Sequence, residues 1–198
     1  MVITAIKQQQ KRADKYSVFI NEKYAFSLSA NELLNQKLSI GQELDNEMLT
    51  TIHEAASLDK AYVKSLDYIS RRPRSVWEME QYLKKCGCND NAKSIIINRL
   101  TKKNYLNDEY FAESWVKNRR KLKLASKRRI YLELQQKHIT NDVINKVFEN
   151  ENVNELDIIN ELINKKKSQS RYADKQKLIT YLLRQGFNYE DVRLCILE

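Results

Sequence analysis

The sequence predicts a mainly α-helical protein: tandem three-helix repeats forming an elongated, curved solenoid, preceded by a small N-terminal β-containing element. Three observations predict it. Only three glycines and one proline occur among 198 residues, too few for the corners of a β-sandwich, while Lys, Glu, Gln and Leu, all good helix formers, are plentiful. A capping residue followed by the same apolar pattern occurs at Ser75, Ser126 and Asp174. Short β-branched and aromatic runs are confined to the start of the chain.

Those runs are Tyr16-Ser17-Val18-Phe19-Ile20 and Tyr24-Ala25-Phe26-Ser27-Leu28, separated by Asn21-Glu22-Lys23. They read as a hairpin around an Asn-led turn, with residues 2–7 as a third strand. Ser29 can cap a short helix to about residue 36, Gly41 can break the chain, and Asp45 can cap a longer helix carrying Met48, Leu49, Ile52, Ala55 and Ala56. Leu58, Ala61, Tyr62, Leu66 and Ile69 continue on one helical face to about residue 71. The helix must end there, because the residue before Pro73 is pushed out of the α region. Ser75 and Glu78 form a capping box that starts the next helix at once, so Arg71-Arg72-Pro73-Arg74-Ser75 is a corner between two helices.

The corner recurs. At four, eight, twelve and thirteen residues after the cap stand Met79, Leu83, Gly87 and Cys88, then Ile130, Leu134, His138 and Ile139, then Leu178, Leu182, Gly186 and Phe187. Asn89, Thr140 and Asn188 follow, each opening a third helix with Ile96, Ile97 and Leu100, with Val143, Ile144, Val147 and Phe148, or with Val192, Cys195 and Ile196. First helices of the second and third repeats are read over about 108–120, with Phe111, Ala112, Trp115 and Val116, and about 154–166, with Leu156, Ile159, Leu162 and Ile163. The expected division is an extension over 1–56 and repeats over 57–106, 107–151 and 152–198. Stacked repeats of this size bury one another's faces. Trp77, Trp115 and most tyrosines are read as packing residues ahead of the alternative, stacking on bases, since aromatics at helical spacing normally face inward.

Charge is distributed unevenly. Residues 1–56 carry 6 basic and 7 acidic side chains, 57–150 carry 21 and 11, and 151–198 carry 8 and 8, so the net +9 sits in the middle. From Trp115 to Leu132 eight basic residues meet no acidic one, the footprint of a polyanion partner. A solvated helix face would normally interleave both signs. Cys86, Cys88 and Cys195 form no disulfide framework, and Cys86-Gly87-Cys88 with distant His53 and His138 cannot complete a zinc site, so neither metal nor cofactor is expected. Cys86 is read as packing at a helix end and Cys88 as a small core residue. No phosphate-binding Gly-rich loop, His-activated nucleophile or magnesium-binding carboxylate set occurs, so the chain is not expected to be an enzyme. With no apolar run long enough for a membrane span and no secretion-type start, a cytoplasmic protein is expected.

The strings YISRRPRSVWEMEQYLKKCG, RLTKKNYLNDEYFAESWVKNR, ASKRRIYLELQQKHI and LLRQGFNYEDV, in that order, resemble the RecX family, regulators of the bacterial RecA recombinase. The likeness covers about residues 57–198, and the β-containing start resembles the N-terminal extension of some members. His138 stands where the other repeats have Gly, and Asn104 where the family favours Gly; both concern local helix caps. The resemblance implies a non-enzymatic protein that binds the groove of the RecA filament on DNA. It also implies inhibition or modulation of the filament's ATPase, recombinase and coprotease activities, in DNA repair, homologous recombination and the SOS response. It places the family's basic corner residues on Arg71, Arg72 and Arg74 and on Lys127, Arg128 and Arg129. Lys117, Arg119, Arg120, Lys121 and Lys123, which precede the second corner, join them as expected contacts to DNA or filament. Single- and double-stranded DNA are the expected partners besides RecA, and a monomer is expected. The competing reading is a free-standing DNA-binding protein without sequence preference that acts by competing for DNA. A corner helix reading the major groove is disfavoured, because the basic residues fall in two repeats and no cluster of base-reading Asn or Gln accompanies them.

Overall fold

A computed structural model describes residues 1–197, which form two compact units, residues 1–72 with 79–103 and residues 73–78 with 104–197.

The first unit opens with an antiparallel meander of β1 (Ile3–Gln9), β2 (Arg12–Ile20) and β3 (Lys23–Ser29), in that order across the sheet. The turn between β2 and β3 is only Asn21 and Glu22, at φ 48 and 64, because Ile20 pairs directly with Lys23. Both positive φ values suit a two-residue hairpin turn, although Glu is a poor residue for it. Two bonds hold the turn in place: Glu22 N–H donates to Thr4 Oγ1 (2.9 Å), and Val2 N–H donates to Asn21 Oδ1 (3.1 Å). Alternation then sends Ile3, Val18, Ile20, Phe26 and Leu28 to one face, where they are buried with Leu44, Ile52 and Ala56.

Ser29 caps α1 (Ala30–Asn35), and Asp45 caps α2 (Asn46–Ser70) by accepting from Met48 N–H at 2.7 Å. Helix α2 runs 25 residues without a break, so the division expected between residues 56 and 57 falls inside it. Ala55-Ala56-Ser57-Leu58 contains no helix breaker. Buried Asp59, three residues beyond that point, accepts from both the backbone N–H and the hydroxyl of Ser29 at 2.7 Å, tying the middle of α2 to the end of β3.

Helix α3 (Val76–Lys85) ends as Gly87 turns left-handed at φ 78, and Asn89 caps α4 (Asp90–Lys102). Tyr68 and Tyr82 stack at 4.2 Å between ring centres, and the Arg99 guanidinium lies 4.0 Å over the Tyr62 ring. Met79 and Leu83 are fully buried as the repeat pattern requires. Cys86, expected to pack at the helix end, is exposed just past it, and Cys88, expected as a small core residue, is half-buried.

The second unit contains two small cores. Helices α5 (Asp108–Lys123), α6 (Lys127–Gln135) and α7 (Asn141–Glu149) enclose Phe111, Ala112, Val116, Ile130, Leu134, Ile139 and Ile144. Helices α8 (Glu155–Lys167), α9 (Lys175–Arg184) and α10 (Tyr189–Leu197) enclose Ile159, Ile163, Leu178, Leu182, Phe187 and Val192. Leu124, the left-handed end of α5 at φ 48, is buried in the second of these cores. That placement rewards a backbone conformation costing a branched residue about 1–2 kcal/mol. Asn104 and His138 are likewise left-handed, at φ 57 and 58, as the cap positions require. The Trp77 indole stacks on the His138 ring at 4.7 Å, which helps hold it there.

The capping serines make a second bond that the capping pattern does not foretell. Ser75 Oγ accepts from Glu78 N–H and donates to the carbonyl of Lys137, the residue before His138. Ser126 Oγ accepts from Arg129 N–H and donates to the carbonyl of Gln185, the residue before Gly186. Beside each serine the next N–H is also satisfied by an acid opening a later helix: Val76 N–H donates to Asp108 Oδ1 (2.8 Å), and Lys127 N–H to Glu155 Oε1 (3.0 Å). One joint is thus used twice. Asp174 caps α9 through Gln176 N–H, but its carboxylate has no hydrogen to donate onward.

Gly186 sits at φ +91, and a Cβ there would meet Ser126 Oγ at 2.8 Å. Gly186→Ala should therefore destabilise by about 2 kcal/mol, combining left-handed strain with displacement of the serine. A urea midpoint equal to the parent's would mean that this joint is not formed.

Candidate nucleic-acid interface

The basic residues singled out in the sequence divide into committed and outward-facing sets. Arg120 is committed. The residue is 8 % exposed, and its guanidinium donates to Glu151 through Nε (2.9 Å) and Nη2 (3.1 Å) and through Nη1 to the Ala125 carbonyl (2.8 Å) and to Glu155. Burial alone would lower its pKa, but hydrogen bonds and charge from the two carboxylates outweigh that and raise it. Arg120, expected as a DNA or filament contact, stands in this structure as an internal brace: four of its five N–H donors are engaged inside the protein.

Arg119 and Arg129 are partly committed. Glu133 accepts from Arg119 Nε at 2.6 Å and from Trp115 Nε1 at 2.9 Å, and its other oxygen lies 3.5 Å from Arg129 Nε. The Arg119 guanidinium also covers the Trp115 ring at 4.6 Å, so Trp115 packs within the repeat as expected. Arg129 reaches Gln185 as well. Arg74, largely buried, lies 3.9 Å from Glu78, which accepts from Lys137 Nζ at 2.8 Å.

What faces solvent in the second unit is a smaller set: Lys117, Lys121 and Lys123 on α5, and Lys127 and Arg128 at the start of α6. Lys117 and Lys121 share a stripe at i,i+4 spacing. Lys127 also holds its ammonium 5.1 Å from the Phe148 ring, anchoring the chain while its charge stays exposed. In the first unit Arg71 and Arg72 are exposed at the end of α2. Within the second unit the structure therefore does not present all nine expected residues to solvent.

Sequence reasoning missed the acids that neutralise this stretch. Glu133 was within reach, since Arg129 and Glu133 stand at i,i+4. Glu151 and Glu155 lie 31 and 35 residues from Arg120 and carried no local signal. Among the described residues no group of three or more His, Cys, Asp or Glu could hold a metal ion, and no helix is long and apolar enough to cross a membrane.

A β-meander followed by capped three-helix repeats with outward cations defines a class, the basic helical-repeat proteins. Comparison with known proteins narrows it. The family profile for the RecX N-terminal domain matches residues 1–45, and those for the first, second and third three-helix domains of RecX match 61–100, 107–147 and 154–196. The regulatory protein RecX of Bacillus subtilis is 31 % identical over 193 residues, 95 % of this chain and 73 % of that protein. That of Lactobacillus gasseri is 34 % identical over 194 residues, covering 96 % and 71 %. A crystal structure of regulatory protein RecX aligns with TM-score 0.77 at 24 % identity over 100 % of this chain and 99 % of that one. RecX from Lactobacillus salivarius aligns with TM-score 0.63 at 24 % identity, over 72 % of this chain and 96 % of that one. The chain belongs to the RecX family of regulatory proteins.

Proposed function

We propose that the protein binds the groove of the RecA filament on DNA and inhibits or modulates the filament's ATPase, recombinase and coprotease activities. The observation that carries the reading is the order of the RecX regions along the chain, an N-terminal domain and three three-helix domains covering residues 1–45, 61–100, 107–147 and 154–196. The outward cations Lys117, Lys121, Lys123, Lys127 and Arg128 support it, since exposed ammonium and guanidinium groups without internal acids release counterions when they meet phosphates. Arg71 and Arg72 are proposed as further contacts.

The test is ATP hydrolysis by the cognate RecA on single-stranded DNA, with this protein titrated in below stoichiometry at fixed salt. Inhibition well below the concentration that coats the DNA is expected. Inhibition only on coating would favour the other reading, simple competition for DNA. Within this proposal, Lys127→Ala with Arg128→Ala should flatten the salt dependence of duplex binding by roughly 0.9 in slope per lost phosphate contact. Arg129→Ala alone should change the slope less, because Glu133 already partners it. An unchanged slope in the double variant would remove both residues from the interface.

A further inference from the structure

The zero net charge of residues 151–198 conceals a segregated strip. Seven of the eight basic residues there fall between 165 and 184, where Asp174 is the sole acid. The Asp174 carboxylate is occupied in capping α9, and Lys165 is paired with Glu161 at 2.7 Å. Among the described residues no ion pair engages Lys167, Arg171, Lys175, Lys177 or Arg184, all of them exposed.

The fold gives this strip a concave face. Arg171, Tyr172, Lys177, Thr180, Tyr181 and Arg184, together with Asp174, line an open groove of about 510 Å³. The Tyr172 and Tyr181 rings lie 5.0 Å apart at 52°, half-buried against the repeat core. Lys166 Nζ sits 5.5 Å from one ring centre and 5.2 Å from the other. Burial raises the pKa of the Tyr181 phenol, and the charge of Arg129 from the preceding repeat works weakly against that. Cations and aromatic faces are thus interleaved along one groove.

We infer that this groove is a binding site for single-stranded nucleic acid, separate from the α5–α6 cations and independent of any filament. Arg171, Lys177 and Arg184 take the phosphodiester backbone. An unstacked base lies against Tyr172, on the ring that Lys166 now partly covers. A duplex keeps its bases stacked inside and offers the tyrosines nothing, whereas every single-stranded base presents a π-face. Groove size agrees, since sites for small ligands run roughly 300–1,000 Å³.

The experiment is fluorescence anisotropy of the full chain with a labelled thymidine oligomer and, separately, a duplex of equal charge. Tyr172→Leu keeps an apolar body against the core but removes the π-face. It should weaken oligomer binding at least about fivefold, as expected for one lost base–aromatic stack, and leave duplex binding unchanged. Charge reversal at exposed Arg171, Lys177 and Arg184 should weaken the oligomer about tenfold or more, since each contact is an exposed phosphate partner, and should affect the duplex less. Thermal melts by circular dichroism report whether each variant folds; should Tyr172→Leu not fold, the charge variant decides. Parent-like oligomer affinity in the charge variant overturns the site. Equal losses on oligomer and duplex overturn its single-strand character. Displacement of the oligomer by polyglutamate of matched charge as effectively as by unlabelled oligomer overturns the nucleic-acid assignment in favour of an acidic protein segment.

Discussion

Arg120→Ala should cost about 3 kcal/mol of folding stability while leaving DNA affinity of the folded protein unchanged. Breaking a buried ion pair by removing one partner typically costs about 3–5 kcal/mol, because the remaining charge stays in low dielectric without compensation. The lower end applies here, since the Glu155 side chain keeps 27 % of its surface exposed and can recruit water, whereas Glu151 keeps 12 %. Four donated bonds are lost together, one of them to the Ala125 carbonyl at the start of the second corner. Arg120→Lys should recover only part of the loss, since an ammonium cannot reproduce the fork to Glu151. Urea unfolding and DNA titration, run side by side, check both halves. Parent stability with weakened DNA binding would return Arg120 to the interface.

Leu134→Ala should destabilise by about 2–5 kcal/mol through lost burial and the cavity left behind. Leu134 is fully buried in the α5–α7 core among Phe111, Ile130, Ile139 and Ile144. The same position of the repeat holds Leu83 and Leu182, both also fully buried. Neighbouring Leu132 is 51 % exposed, so Leu132→Ala, matched in chemistry and two residues away, should stay near the parent. Similar melting temperatures for the two variants would mean that the register of the repeat is misplaced.

The core position of Leu134 was legible in the sequence, and so were most helix starts. Ser29, Asp45, Asn89, Ser126 and Asp174 each cap the helix expected of them. Capping, left-handed turns and helical periodicity are local: the side chain and the backbone group it serves lie within about four residues of each other. Gly87, His138 and Gly186 all took the left-handed turn for the same reason, despite the change of residue in the second repeat.

What the sequence could not rank was the cations of residues 115–132. In one dimension Lys117, Arg119, Arg120 and Lys121 are equivalent basic residues in an acid-free run. The fold brings Glu133, Glu151 and Glu155 to Arg119 and Arg120 from 14, 31 and 35 residues away and leaves the lysines facing water. A charge sum over residues 151–198 hid a basic strip for a related reason, because averaging along the chain cancels acids and bases that the fold sets on different surfaces. Local chemistry, written within one helical turn, therefore determined the repeats and their caps. Tertiary packing alone decided which charges are internal braces and which are free to meet a partner, since a charge's neutralising neighbours need not be near it in the chain.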